Sequence, residues 1–370
     1  MTIAPFETEH YYARYEFTSP HMLSGSDCES TSIAELLALS GRTMDALGAT
    51  TLGYTESRGH PALRSAIAAA AGKVSPEDVL VLNAPIEGIF IAMSALLQRG
   101  DRAVVLGPCY DALRNIPAHV CDNVETWMLQ ETATGWKLDI ERLDELLEPP
   151  TKVLIVNFPH NPTGFLPSGE QLSSIVDRAR ERGVWLFSDE MYRGLELEGP
   201  ALPSAADLYQ RSLVLGGLSK SFGLPGLRSG WLVVPDHAMF ARILNWKYYT
   251  SICPPAPIEF LALAAFDARD ELLARNRARV KGNVALAADF FSRFDRLFEW
   301  RAPKAGPVAL VGIDVPSATE YCHRLAEDAG VVLLPSSFLG YGDGHVRFGF
   351  GRDGFAAALE HFERYLQSAL

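Results

Sequence analysis

The sequence predicts an α/β fold: a large domain with a mainly parallel sheet between helices, plus a smaller α/β C-terminal domain. Three observations carry this. Short apolar runs without polar alternation recur from Val79 to Val234, the pattern of strands buried on both faces. Helical periodicity fills the stretches between them, as parallel strands require. After about Gly282 the rhythm shifts to a shorter series of strands and helices.

Residues 1–30 read as an arm or loop, and residues 31–47 are expected to pack with the smaller unit. VLVL (79–82) is the first strand and leads into a helix near Glu87–Gln98. RAVVLG (102–107) follows. KVLIVNF (152–158) precedes a helical stretch over Ser168–Arg182. VWLFSD (184–189), SLVLGG (212–217) and SGWLVV (229–234) complete the run. Long helices begin near Asp236 and near Glu259. Beyond Gly282 come VALVGI, a helix near Ala318–Asp328, VVLL, HVRFGF and a final helix. The expected division is therefore an N-terminal segment 1–30, a large domain 48–282, and a small domain of 31–47 with 283–370.

Length and composition fit this size of fold: 370 residues, 48% hydrophobic, with no repeat or low-complexity tract. The net charge of -12 and the lack of a basic run argue against nucleic acid or an anionic membrane as partner. Cys28, Cys109, Cys121, Cys253 and Cys322 are widely spaced and contain no CxxC pair. They read as reduced thiols of a cytoplasmic protein, without a metal site. The N-terminus lacks a signal-peptide core. The most apolar stretch, Val79–Leu97, carries Asn83, Pro85 and Glu87, so it reads as a buried strand and helix rather than a membrane span.

Ligands of open α/β sheets bind beyond the carboxyl ends of the strands. There the sequence places Asn161, Asp189, Tyr192, Ser219, Lys220 and Arg228, with Tyr110 after the 102–107 strand. Singly, each has a plainer reading: a strand-end Asp caps a turn, a Lys in a Gly-rich loop is solvated, an Arg pairs at the surface. Jointly, an amide, a carboxylate, a phenol, an amine and a guanidinium suit pyridoxal 5'-phosphate. An amine bonds the aldehyde, a carboxylate holds the ring nitrogen protonated, and an arginine forks onto phosphate.

FPHNPTG, SDEMY, GGLSKSFGLPGLRSGW and HVRFGFG stand in the order found in fold-type I pyridoxal-phosphate enzymes. From about Tyr54 to the C-terminus the chain resembles the class I/II aminotransferase family, with an aspartate-aminotransferase-like fold. The resemblance implies that Lys220 forms the Schiff base and shuttles protons, and that Asp189 pairs with the ring nitrogen. It implies that Asn161 and Tyr192 contact the ring hydroxyl oxygen, Arg228 binds phosphate, and Tyr110 stacks on the ring. Tyr54 would reach the phosphate of a neighbouring subunit, making a homodimer with shared sites. Thr250 and Ser251 sit where such relatives approach the neighbouring site. Arg347 would grip the substrate α-carboxylate. Residues 1–30 would lie over the substrate, with Gly25 beside it. Pro159 and Pro162 would fix the Asn161 turn, a place where a cis peptide can occur.

Two positions depart from that family. Asn83-Ala84-Pro85-Ile86-Glu87 replaces a small-residue turn, so the amides expected to serve phosphate are those of Ile86 and Glu87. Gly217 stands where relatives often have serine. Burial beside Arg228 is expected to lower the Lys220 pKa. Glu16, Asp27 and Glu29 offer acids to a basic side chain such as arginine's; the plainer expectation is that Asp27 or Ser30 caps the helix from Ile33.

The function these features imply is transfer of an amino group between an α-amino acid and a 2-keto acid. The alternative is elimination, cyclisation or oxidation of an amino acid, because FPHNPTG and GLSKSFGLPGLRSGW also resemble cyclases of the capreomycidine-synthase type. A non-catalytic regulator on the same fold is a third class; it lacks support from any basic DNA-binding module.

Overall fold

The computed structural model describes residues 3–369. A seven-stranded sheet forms its centre, in the order 79–82, 230–233, 212–217, 185–189, 153–157, 102–107, 123–128. Gly230–Val233 runs antiparallel to both neighbours, and the other pairings are parallel. Strands 153–157, 185–189 and 212–217 are buried along their whole length, which explains their uninterrupted apolar runs.

Asn123–Met128 escapes a reading based on apolar runs because it is an edge strand. Only Trp127 of its six residues is buried. A hairpin of Gln130–Thr132 and Gly135–Lys137 follows it.

The smaller unit has a four-stranded sheet in the order 298–299, 308–313, 345–349, 334–335. Helices Ala318–Ala329 and Phe355–Ala369 belong to this unit. Residues expected to form an arm instead begin with a helix, Glu7–Tyr15, whose Thr8, Tyr11 and Tyr15 are buried. Their spacing places them on one helical face. Tyr11, Tyr15, Leu23 and Cys28 join the core of the smaller unit. His21–Met22 then pairs in parallel with Val331–Val332.

Residues 31–47 do not pack with the smaller unit as expected. Helices Ile33–Ser40 and Met44–Gly48 lie on helix Ala256–Asp267. Leu36 and Leu37 enter the large core with Leu261, Ala264 and Ala265 of that helix. Ser32, not Asp27 or Ser30, caps the helix from Ile33 by accepting from the Glu35 amide.

The rhythm change near Gly282 falls inside a 25-residue helix, Arg269–Arg293. Its Leu272 and Leu273 belong to the large core, while Val280, Ala287, Phe290 and Phe291 belong to the small one. Among the described residues, no helix is long and apolar enough to cross a membrane.

Candidate active site

A cleft of about 400 Å³ opens where the carboxyl ends of the parallel strands face the smaller unit and the N-terminal segment. Asn161, Asp189, Tyr192, Ser219, Lys220, Arg228, Tyr110, Ile86, Arg347 and Gly25 all line it. Tyr54 does not; it is 92% exposed.

Asn157 ends its strand facing Asp189 across the parallel pair. Its amide donates to the Asp189 carbonyl at 2.9 Å, and its side-chain oxygen accepts from the Asn161 N–H at 2.8 Å. Asn157 thus ties two strand ends to the turn that follows. The turn contains cis peptides at Phe158-Pro159 and Asn161-Pro162. His160 is buried within it, bonded through Nδ1 to Thr163 Oγ1 at 2.8 Å, and burial pushes its pKa down to about 3. It remains neutral at physiological pH.

Asp189 is buried, and one carboxylate oxygen accepts from the Met191 amide at 3.1 Å. The other receives no hydrogen bond among the described residues. Burial pushes the pKa up to about 7 against the Met191 bond and the nearby Lys220 charge. Such a carboxylate lacks a cationic N–H partner.

Lys220 Nζ donates to Ser26 Oγ at 2.8 Å. Burial lowers its pKa; Asp27, Glu9 and Asp189 oppose the shift, and Arg347 reinforces it. The cation acting on Lys220 is therefore Arg347, rather than the expected Arg228. Arg228 is exposed, holds a left-handed backbone (φ 49°) and donates to the Pro225 carbonyl at 3.0 Å.

Arg347 is 1% exposed, on the strand His345–Gly349. It donates to Asn161 Oδ1 at 3.1 Å, to Tyr12 Oη at 2.7 Å, and to the Ser24 carbonyl at 2.9 Å. None of these partners is charged, so a buried guanidinium faces the cleft without a carboxylate. The N-terminal helix adds Glu9, which accepts from Tyr110 Oη at 3.0 Å. Thr8 anchors this helix by donating its backbone N–H to Asp111 at 3.0 Å. Phe6 packs against the Tyr110 ring, with centroids 5.1 Å apart.

Sequence reasoning missed Glu9, Tyr12, Ser26, Asn157 and Arg352 at the cleft, and Ser24 behind Arg347. Glu9 and Glu16 lie seven residues apart, two turns of one helical face, which is the signal that was available. Glu29 lies outside the cleft and accepts from the Asp353 amide.

At the phosphate end, Glu87 departs from expectation. Its amide donates to the Ala84 carbonyl at 3.1 Å, while its carboxylate accepts from the Asn83 amide at 3.0 Å and from the Thr250 hydroxyl. Proline at the first helical position closes this tight turn. The Glu87 amide is thereby occupied, whereas the Ile86 amide has no acceptor among the described residues.

The two departures from the family pattern are a single packing event. A Cβ on Gly217 would lie 2.6 Å from Pro85 Cγ, and one on Gly230 would lie 2.9 Å from the same atom. The proline ring occupies the space that a serine at 217 would need. Gly217→Ser is expected to destabilise the protein by about 1–3 kcal/mol through overpacking. Adding Pro85→Ala should recover most of that loss. Melting curves of the two single variants and the double variant check this; additive losses would refute the coupling.

The residues present fit pyridoxal phosphate. They provide a buried carboxylate awaiting a cation, an amine whose pKa burial lowers, a helix-start amide without acceptor among the described residues, and an aromatic face at Tyr110. Sheet and cleft together define a cofactor-dependent α/β enzyme of fold type I. Residues 30–361 match the model of the family described as aminotransferase class I and II, and the chain belongs to that family.

It is 28% identical to a probable N-acetyl-LL-diaminopimelate aminotransferase of Bacillus subtilis, over 85% of this chain and 81% of that one. It is 26% identical to a capreomycidine synthase of Streptomyces vinaceus, over 95% and 90%. A PLP-dependent aminotransferase from Streptococcus suis superposes with a TM-score of 0.93 at 28% identity, over 100% and 99%. The protein is an enzyme of the pyridoxal-phosphate aminotransferase class, acting on amino and keto acids.

Proposed function

We propose that Lys220 is the amine that bonds the cofactor and moves the substrate α-proton in amino-group transfer. The observation that carries this is a single cleft joining the depressed Lys220 amine, the buried Asp189 carboxylate and the uncompensated Arg347 guanidinium. Asp189 would hold the ring nitrogen, Asn161 and Tyr192 the ring oxygen, and Tyr110 a ring face. Ser219, Arg228 and the Ile86 amide would hold phosphate. When bound, the cofactor supplies an electron sink for the substrate α-carbon.

The chain's own residues do the rest. Arg347 fixes an α-carboxylate by charge-assisted bonds, so the α-hydrogen is presented on one side. The uncharged form of Lys220, which burial favours, accepts that proton at Nζ. Thr8, Glu9 and Tyr12 of the N-terminal helix, with Gly25–Asp27, line the cleft and would cover a bound substrate. We further propose the division suggested by the two cores: the N-terminal segment 1–30 and residues 283–370 on one side, and the sheet domain on the other.

The test is a panel of amino acids offered to cofactor-loaded protein, with a 2-keto acid as acceptor. Keto-acid product that depends on the acceptor supports transamination. No product from any amino acid overturns it.

A second reading has its own support. Glu9, Glu16 and Asp27 line the cleft, and among the described residues only Asp27 of the three has an ion-pair partner, Arg352 at 2.9 Å. Crowding by burial and by Asp27 raises the Glu16 pKa. A cationic side chain would relieve both effects, and this chain is similar to a capreomycidine synthase. Elimination or cyclisation of an arginine-like amino acid is the reaction this favours. Product from an arginine-like amino acid that carries a leaving group on its β-carbon, formed without any keto acid, would establish it.

We also propose a homodimer. Leu52, Tyr54, Trp246, Tyr248, Tyr249 and Ile252 are exposed apolar side chains, a set that a second copy would cover. Sedimentation as a monomer at micromolar concentration would remove that reading. The five unpaired cysteines, four of them buried, support a reducing, cytoplasmic location; finding the protein secreted would contradict this.

A further inference from the structure

We propose that Ser26 is a further catalytic residue, holding the free amine of Lys220 so that its lone pair faces the substrate α-hydrogen. The proposal rests on reading Lys220 as the reactive amine. The bond from Nζ to Ser26 Oγ, 2.8 Å, is the only hydrogen bond this amine makes among the described residues.

Ser26 is not on a loose loop. On one side, the Ser24 carbonyl accepts from Arg347 and from Tyr12 Oη. On the other, Asp27 accepts from Arg352 at 2.9 Å. The backbone is fixed as well: Gly349 N–H donates to the Leu23 carbonyl at 2.7 Å, and Glu29 N–H donates to the Gly351 carbonyl at 2.8 Å.

Two glycines permit this approach. A Cβ at Gly349 would lie 1.8 Å from the Gly25 carbonyl oxygen. One at Gly351 would lie 2.0 Å from that of Asp27. Residue 26 is held between two points of backbone contact with the strand end that carries Arg347. One piece of structure therefore sets both the carboxylate grip and the orientation of the amine.

The chemistry balances without further reactants. A neutral amine has two hydrogens and one lone pair. Giving one hydrogen to Ser26 Oγ fixes rotation about Cε–Nζ and leaves the lone pair free. When the lone pair takes the α-proton, the amine becomes an ammonium and the same bond becomes charge-assisted. The proton stays at Nζ until it is handed on. Ser26 thus favours the ammonium in a site where burial disfavours it. Asp27, Glu9 and Asp189 also favour it, and Arg347 opposes it; replacing Ser26 alters none of these.

The experiment measures acetylation of Lys220 by acetic anhydride against pH in cofactor-free protein, read by mass spectrometry. Ser26→Ala is expected to move the midpoint down by about one pH unit, the worth of one hydrogen bond to a charged group. Ser26→Thr, which keeps the oxygen, should stay near wild type. Gly351→Ala, which touches neither the amine nor the hydroxyl, should reproduce the downward shift by lifting the segment. An unchanged midpoint in Ser26→Ala overturns the proposal. So does a shift in Gly351→Ala alone, because the segment would then act only by excluding water. If Ser26→Ala does not fold, Ser26→Cys, a weak acceptor, is read by the same criteria. Borohydride fixation of the cofactor in wild type tests separately whether Lys220 is the reactive amine.

Discussion

Replacing Lys220 by alanine is expected to lower amino-group transfer by about 10⁴-fold, the upper range for loss of a positioned general base. The side chain lies in the cleft and, among the described residues, makes a single hydrogen bond, to Ser26. Its removal therefore leaves the surrounding hydrogen bonds from Asn157, Asn161 and Arg347 in place. The fold should survive, and far-ultraviolet circular dichroism should match wild type. Two measurements check the expectation. Turnover should fall to the residual level, and borohydride should no longer fix the cofactor to the protein. A variant retaining a tenth of wild-type activity would show that another group moves the proton.

Asp189→Asn should produce effects of opposite sign with and without cofactor. In the cofactor-free protein, burial carries the Asp189 pKa from its ordinary 3.8 to about 7. Between those values the folded chain holds a proton that the unfolded chain has released. Stability therefore falls as pH rises through the window from about 4 to 7, and stays low above it. Asparagine does not titrate. The cofactor-free variant should be the more stable protein at pH 8, by up to about 4 kcal/mol, and the advantage should vanish at pH 4.

With cofactor bound, a protonated ring nitrogen would pair with the carboxylate, and the ionised form becomes the useful one. The loaded variant should then lose about 10²–10³-fold in turnover, the scale of one removed electrostatic contact. Melting curves at the two pH values, with turnover of loaded protein, decide the matter. Equal stability at pH 8 would mean that the carboxylate already has a partner.

What could be read from the chain alone follows from how far each feature depends on tertiary contact. The buried strands were legible because both their faces are apolar, and residues such as Asp189 and Lys220 were legible because strand ends mark where ligands bind. The edge strand Asn123–Met128 was not, since only Trp127 commits to the core. Helix Ile33–Ser40 was recognisable, but its partner was not, because Leu36 and Leu37 suit either core. The Glu87 amide was assigned to a ligand because the carbonyl of Ala84, which takes it, becomes available only once the turn has closed. Ser26 had no local signature at all: its role arises from Gly349 and Gly351, more than 320 positions away, whose missing side chains let the segment settle.

The helix Arg269–Arg293 has a mechanical consequence. One end is embedded in the larger core and the other in the smaller. The crossing from one core to the other falls between Leu273 and Val280, and Gly282 lies past it, inside the part held by the smaller core. A continuous helix clamped in both cores acts as a beam: rocking of the carboxylate-gripping half against the sheet would have to bend it over residues 274–279, changing the gap between Arg347 and Lys220 while both cores keep their packing.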